Sequence, residues 1–167
     1  MKLQLVLIIA LLEIVSIFGC PSGNHTEEMH HHIAIVKTYH IDPFVKTNWF
    51  RAIAYCNSIG MRLVNIYSEE ENEKIVKMVN DSGYGNYDFW TSATNFGHTR
   101  WYWLGNGNNM VFNNWGYYMG GQQPDKEDEH CVLLYHMDNF RWHDFPCTDD
   151  NHVICEKSSE YLTSTCL

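Results

Sequence analysis

The 167-residue sequence predicts a single α+β domain braced by disulfides. Three observations predict this class: two helical patterns precede three short strand-like runs, a long irregular segment separates them, and six cysteines are spread over the chain. An apolar fraction of 45% and an aromatic fraction of 14% can supply a packed core. A chain that is disordered throughout is therefore excluded.

The N-terminus, residues 1–19, has the pattern of a secretory signal peptide. Lys2 supplies the positive charge, an apolar run follows, and the small Gly19 suits cleavage. A membrane anchor is the alternative, but Glu13 interrupts a run that is too short to span hydrocarbon comfortably. We therefore expect a secreted, extracellular protein without membrane insertion.

Residues 20–37 are predicted to form a flexible leader, because they are polar and follow neither the helical nor the strand period. The run His30 to His32 would bind a metal only within a surrounding fold, so a solvated tether is the preferred interpretation. Two N-x-[ST] sequons, at Asn24 and Asn80, are candidate glycosylation sites and agree with secretion.

Two amphipathic helices are predicted next. The first follows Thr47 and ends near Gly60, and its inward face repeats at helical spacing. The residues of that face are Trp49, Ala52, Ile53 and Cys56. The second helix begins at a capping box formed by Ser68 and Glu71. Its inward residues are Ile75, Met78 and Val79. Between the two helices, residues 61–66 have strand character.

The segment from Tyr84 to Asp125 shows no helical period, is rich in glycine and asparagine, and contains four tryptophans. Long irregular segments are uncommon in compact domains unless they serve binding, so this segment is predicted to form a ligand-binding loop. Three short strands are predicted after it, at residues 131–135, 140–142 and 153–156.

The charge balance narrows the class of ligand. Eleven basic against twenty acidic residues give a formal net charge of −9, and no basic cluster suited to a phosphate backbone is visible. Nucleic acid is therefore not an expected partner. The motifs of serine hydrolases, of zinc proteases and of phosphate-binding loops are also missing, so we do not expect an enzyme.

Oxygen-bearing side chains are densest over residues 123–129, and Asp144 follows downstream. Calcium takes six to eight oxygen ligands, which an acidic loop and a second acidic strand could supply. A solvated acidic turn is the alternative, because no EF-hand spacing is present.

Six cysteines allow 15 pairings, and spacing alone does not choose among them. Without a CxxC sequence, a zinc ribbon or a thioredoxin motif is disfavoured. Cys20 and Cys166 lie at the two extremes and form a candidate pair. Cleavage after Cys20 would leave Cys166 unpaired, which favours a reactive thiol or a disulfide-linked homo-oligomer.

Several short phrases together resemble a C-type lectin domain, and in detail the secreted single-domain lectins of insects. The phrases are Met61-Arg62-Leu63, Ser68-Glu69-Glu70-Glu71-Asn72, Phe89-Trp90-Thr91-Ser92-Ala93-Thr94-Asn95, Asn114-Trp115, Gln123-Pro124-Asp125, Glu129-His130-Cys131 and Trp142-His143-Asp144. The resemblance covers residues 38–157, which leaves residues 158–167 as a C-terminal tail.

This resemblance implies a two-helix fold with small antiparallel sheets and a long ligand-binding loop. It also implies the disulfides Cys56–Cys155 and Cys131–Cys147. A calcium ion is implied with the ligands Gln123, Asp125, Glu129 and Asp144. In the family, a Gln-Pro-Asp triplet usually accompanies galactose-type binding, through direct coordination of two neighbouring sugar hydroxyls. The implied carbohydrate-binding residues are those four together with His143.

Two departures from the family pattern bear on this site. His143 stands where an asparagine would supply an amide oxygen, and imidazole is a poor ligand for calcium. The loop from Asp125 to Cys131 is short and lacks the aromatic residue that often stacks on galactose. The candidate substitutes are Tyr117, Tyr118, Phe140 and His143.

We therefore predict a secreted calcium-dependent lectin for galactose-type glycans or glycoproteins, used in innate immune recognition or in a secreted fluid. The alternative, which the two departures motivate, is a protein-binding domain of the same fold that has lost calcium and sugar binding.

Overall fold

A computed structural model describes residues 29–166, and side chains over residues 32–163. Within these residues, the helices are α1 (Trp49–Ser58) and α2 (Glu69–Asp81), with a single 3₁₀ turn at His136–Asp138. The strands are β1 (Met29–Thr47), β2 (Arg62–Leu63), β3 (Phe89–Thr94), β4 (Tyr102–Trp103), β5 (Tyr117–Tyr118), β6 (Gly121–Gln122), β7 (Cys131–Tyr135), β8 (Arg141–Phe145) and β9 (Asn151–Cys166). This is the predicted α+β class.

The strands form one seven-stranded sheet and one hairpin. The main order is β1-β9-β3-β7-β8, with β2 paired to β9 and β4 paired to β3. In the antiparallel pair β7–β8, Val132 lies opposite Asp144 and Leu133 lies opposite His143. The hairpin is β5–β6, and it directly precedes Gln123. The sheet and the hairpin together bring the two acidic segments to one end of the domain.

The chain has two compact units. The larger, Ile35–Glu160, contains both described helices and the acidic segments at residues 123–129 and Asp144. The smaller unit is described at residues 29–34 and 161–166, where Thr163 Oγ1 donates to the His32 carbonyl at 3.1 Å. None of the described helices is long and apolar enough to cross a bilayer.

The two helices begin where polar side chains satisfy their first backbone N–H groups. Asn48 caps α1 by accepting from Arg51 N at 3.0 Å, one residue beyond the predicted Thr47 start. Ser68 Oγ accepts from Glu71 N at 3.2 Å and so caps α2. The predicted inward faces are buried or packed against the core, as the 3.6-residue period requires.

Two disulfides lie in the described core. Cys56–Cys155 joins α1 to β9, and Cys131–Cys147 joins β7 to the turn after β8. Both are the pairings that the family resemblance implied. The predicted Cys20–Cys166 bridge lies outside the described side chains, as do the signal peptide 1–19 and the sequon at Asn24. Asn80 is exposed in the last turn of α2.

The expected flexible leader and tail differ from the structure. Residues 29–37 belong to β1, and residues 158–166 belong to β9. The reason is visible at Lys37, whose Nζ lies 2.7 Å from Glu71 Oε1 and 2.9 Å from the buried Glu156 Oε2. These partners are remote in sequence, so the local hydropathy pattern of the leader did not indicate a strand.

Candidate functional site

Three carboxylates converge at the end of the sheet. One oxygen each from Asp125, Glu129 and Asp144 lies within 4.8 Å of the other two. Asp125 and Glu129 belong to the loop between β6 and β7, and Asp144 belongs to β8. We call these three residues the carboxylate cluster. Within the described residues, it is the one group of at least three acidic, histidine or cysteine side chains with metal-binding spacing.

Asp144 fixes the shape of the loop. Its side chain is buried, with Oδ1 accepting from Asp125 N at 3.2 Å and Oδ2 accepting from Lys126 N at 3.2 Å. A carboxylate that accepts two backbone N–H groups holds both chain segments in one register. Asp144 therefore positions Asp125 as well as contributing its own charge.

The cluster concentrates negative charge in a partly buried place. Burial raises the pKa of Glu129 to about 7, and the charges of Asp144, Asp125 and Asp128 act in the same direction. Burial likewise raises the pKa of Asp144, although the N–H groups of Lys126 and Asp125 oppose this shift. Carboxylates that raise one another's pKa are stabilised in the charged form by a cation.

The chemistry of the donor set fits calcium. The cluster offers carboxylate oxygens, which hard cations prefer, and contains no histidine or cysteine of the kind that zinc or copper selects. Gln123 is buried beside the cluster's loop, and its backbone N donates to the Gly116 carbonyl at 3.0 Å. Its peptide bond to Pro124 is cis.

His143 does not belong to the carboxylate cluster. It is only 3% exposed, its Nε2 lies 3.0 Å from Asp138 Oδ2, and its ring packs 4.6 Å from that of Tyr135. Adjacent residues of a strand point to opposite faces, which separates His143 from Asp144 on β8. The structure thus places the predicted sugar-binding histidine in a packed pair with an aspartate.

The four residues predicted as candidates for stacking on the sugar differ in their solvent exposure. Phe140 is 4% exposed and belongs to the core, so it cannot stack on a ligand, and His143 is buried as well. Tyr118 is half-buried, with its ring 5.2 Å from that of Tyr135. Tyr117 is 60% exposed on the hairpin that leads to Gln123. Of these four, Tyr117 is the ring that is open to a ligand.

Two further residues shape the site, of which Asp138 was not predicted as a site residue from the sequence. Asp138 Oδ2 accepts from Tyr117 N at 3.1 Å as well as facing His143, so it ties the 3₁₀ turn to the hairpin. Lys126 Nζ lies 3.2 Å from Asp125 Oδ2 and partly compensates the charge of the cluster.

Comparisons with known proteins find relatives of most of the chain. The family model described as "Lectin C-type domain" matches residues 45–157. The chain is 30% identical over 123 residues to C-type lectin mosGCTL-7 of Culex quinquefasciatus, covering 69% of this chain and 71% of that protein. It is 31% identical over 124 residues to salivary C-type lectin 2 of Aedes albopictus, covering 67% and 78%.

Solved structures share the fold. The carbohydrate-recognition domain of the mouse scavenger receptor C-type lectin is 29% identical, with a TM-score of 0.61 over 76% of this chain and 92% of that one. Human lithostathine superposes with a TM-score of 0.64 over 74% and 92% of the two chains. At 21% identity, the likeness to lithostathine concerns the fold alone.

Proposed function

The chain belongs to the C-type lectin domain family, and from this premise we propose that it is a secreted, calcium-dependent lectin that prefers galactose-type glycans. The observation that carries the proposal is the carboxylate cluster, in which three acidic side chains from two segments meet around one point. Without a cation, such a cluster is costly because burial and mutual repulsion disfavour its charged form.

Asp125, Glu129 and Asp144 would hold the calcium ion, with the amide oxygen of Gln123 as a further ligand. When bound, calcium supplies open coordination positions for two neighbouring sugar hydroxyls. The chain's own contribution is to orient those hydroxyls. A carboxylate of the cluster accepts their hydrogen bonds, whereas an amide can both donate and accept.

The order of amide and carboxylate in the triplet is the basis for proposing galactose. Gln123 places an amide before Pro124, and Asp125 places a carboxylate after it. Exchanging the two groups would exchange donors and acceptors, and hence the hydroxyl stereochemistry that fits. The exposed ring of Tyr117 offers an apolar surface for the face of the sugar.

The proposal includes an extracellular location and a binding role without catalysis. Described disulfides are typical of an oxidising compartment, and one relative carries the name salivary C-type lectin 2. Recognition of microbial glycans and binding of glycoproteins in a secreted fluid are both consistent with such a molecule, as is assembly into a homo-oligomer.

Calorimetric titration of the protein with calcium, followed by galactose and mannose, tests the proposal. We expect calcium binding in the micromolar to millimolar range and galactose binding only with calcium present. Glu129→Gln should abolish both. Glu127→Gln is the matched control, because Glu127 is exposed in the same loop and lies outside the cluster. Absence of calcium binding to the parent protein would instead support the calcium-independent, protein-binding alternative.

A further inference from the structure

A cavity lined by residues outside the carboxylate cluster lies near β4. Its volume is about 260 Å³, which suits a monosaccharide or a charged substituent rather than a larger ligand. The lining residues are His98, Thr99, Arg100, Tyr102, Gly107 and Asn109. They come from the turn after β3 and from the chain that enters and follows β4. The cavity therefore lies within the segment from Tyr84 to Asp125, which the sequence predicts to bind a ligand.

The cavity lining carries a positive charge, whereas the chain as a whole is negative. The protein has a formal net charge of −9, yet the cavity wall contains no carboxylate. Arg100 is exposed and makes no ion pair or hydrogen bond with any other described residue. A guanidinium with all five donors available is suited to bidentate recognition of a carboxylate or a similar oxyanion.

Two other polar side chains of the cavity wall also carry hydrogen-bond donors. The Asn109 amide and the Thr99 hydroxyl both carry donors that can face an anion or the hydroxyls of a sugar. The ring of His98 packs edge-on against Tyr102, with centroids 5.0 Å apart at 76°. The cavity thus combines a cation, neutral hydrogen-bond donors and an aromatic surface. These groups match a ligand that has an anionic substituent on a polar ring.

The wall is preorganised by backbone hydrogen bonds. Tyr102 pairs with Thr94 across β3–β4 and bridges to Asn109 on its other side. His98 N donates to the Asn95 carbonyl at 2.8 Å, which closes the turn that carries Arg100. A preformed wall spares the ligand the entropy of ordering the loop.

The cavity is adjacent to the carboxylate cluster through the sheet. Thr94 pairs with Tyr102 on one side and with Cys131 on the other. Two interstrand spacings, about 10 Å, therefore separate the backbones of Tyr102 and Cys131. A hydrogen bond of 2.8 Å also links Asn95 Oδ1 with the Nδ1 of His130, the residue after Glu129.

From this arrangement we infer that the cavity is a second subsite for the glycan. It binds the anionic substituent of an acidic saccharide, and this substituent is a carboxylate or a sulfate ester. The inference rests on the proposed function, because it assumes that a glycan is the ligand. It extends that function by assigning the preferred substrates to acidic rather than neutral glycans.

NMR titration with three monosaccharides tests the inference directly. Galactose 6-sulfate, galacturonic acid and galactose are added to the parent protein, once with calcium and once with chelator. The signals followed are the His98 ring, the Asn109 side-chain amide and the Arg100 guanidinium. We expect one or both acidic sugars to shift these signals in both buffers, and galactose to leave them unchanged. The two acidic probes distinguish a sulfate site from a carboxylate site.

Arg100→Gln should weaken binding of the acidic sugar at least about tenfold, which corresponds to about 1.4 kcal/mol. Arg51→Gln is the matched control, because Arg51 is exposed on α1 and outside the cavity wall, and its loss changes the net charge equally. Equal affinity of the two variants, or equal shifts with galactose, would overturn the inference. Because the titration is repeated with chelator, failure of calcium-dependent sugar binding at the carboxylate cluster is distinguished from failure of the cavity to bind the acidic sugar.

Discussion

Gly116 lies directly against the carboxylate of Asp138. A Cβ added at residue 116 would meet Asp138 Oδ2 and His143 Nε2 far inside van der Waals contact. The close approach matters for the site because the Gly116 carbonyl accepts from the backbone N of Gln123. The pair thus connects the packed histidine–aspartate contact to the first residue of the Gln-Pro-Asp triplet.

We predict that Gly116→Ala destabilises the fold by about 1–3 kcal/mol, the usual cost of overpacking, and weakens calcium binding. Thermal unfolding and calcium titration measure the two effects. Asp138→Ala, which removes the obstructing carboxylate, should make the added methyl less costly in the double variant. Strictly additive losses would show that the contact between residues 116 and 138 is not the cause.

Calcium should stabilise the folded protein through Asp144. At a free calcium concentration of 100 times Kd, binding only to the folded state adds about 2.7 kcal/mol to the free energy of unfolding. Asp144→Asn should remove this increment, whereas Asp149→Asn should retain it because Asp149 is exposed and outside the cluster. Melting curves with calcium and with chelator provide the measurement, and an unchanged increment in Asp144→Asn would contradict the assignment.

Sugar selectivity should follow the order of amide and carboxylate. The double variant Gln123→Glu with Asp125→Asn keeps the net charge and exchanges the two groups, so we expect its preference to move from galactose toward mannose. Competition of the two sugars for the calcium-loaded protein measures the preference. A parent protein that already prefers mannose, or a swap without effect, would count against selection by the triplet.

The helices, their buried faces and the family were predictable because they depend on local spacing and on motifs that survive in sequence. The family resemblance is confirmed by the match over residues 45–157. The orientation of His143 was not predictable, because it depends on Asp138 and Gly116, which reach it only after the hairpin and the 3₁₀ turn have packed. The strand at residues 29–37 escaped prediction because its anchor, Lys37, acts through Glu71 and Glu156.

The ion pair between Lys37 and Glu156 can be tested by substitution. Lys37 Nζ and Arg62 Nε lie 2.9 and 3.4 Å from the two oxygens of Glu156, a side chain that is 1% exposed. We predict that Lys37→Met destabilises the domain by about 2–3 kcal/mol, since the buried charge of Glu156 then keeps only Arg62, the more distant of its two cationic partners. Burial already raises the pKa of Glu156. The loss should therefore shrink as the pH falls through this raised pKa, above the ordinary range of a glutamate, because a protonated Glu156 no longer needs the cation.

Lys77→Met is the appropriate control for this variant. Lys77 pairs with Asp81 on the surface of α2, and both side chains are mostly exposed, so the expected loss is at most about 1 kcal/mol. Chemical denaturation at neutral and acidic pH measures both variants. If the two cost the same, Lys37 is a surface residue in solution and the strand at residues 29–37 is not anchored as described.

His152 should make the stability of the fold depend on pH. Burial lowers its pKa, and the nearby charge of Lys46 acts in the same direction, whereas the Val45 backbone and the charges of Asp88 and Asp42 oppose this shift. Its ring lies 4.4 Å from that of Tyr87, and its buried Nδ1 has no hydrogen-bond partner among the described residues. The unfolded chain therefore binds a proton more readily than the folded one. The lowered pKa of His152 therefore makes the stability of the fold depend on pH. Its stabilising effect is complete above about pH 6.5, the pKa of an unperturbed histidine. The effect is lost as the pH falls through the lowered pKa of the folded state.

We predict that His152→Phe, which keeps the aromatic contact, reduces the fall in stability between about pH 6.5 and 5, the window in which an unperturbed histidine gains its proton. His98→Phe is the control, because His98 is exposed. The measurement is the free energy of unfolding of both variants and the parent, with chelator present so that calcium release does not contribute. Carboxylates titrate at lower pH in all three proteins and affect their stability alike. The difference in pH dependence between a variant and the parent therefore identifies the contribution of the substituted histidine. Parallel curves for His152→Phe and the parent would mean that residue 152 takes up its proton equally well in the folded and unfolded states, and that the packing against Tyr87 does not exclude the charged ring.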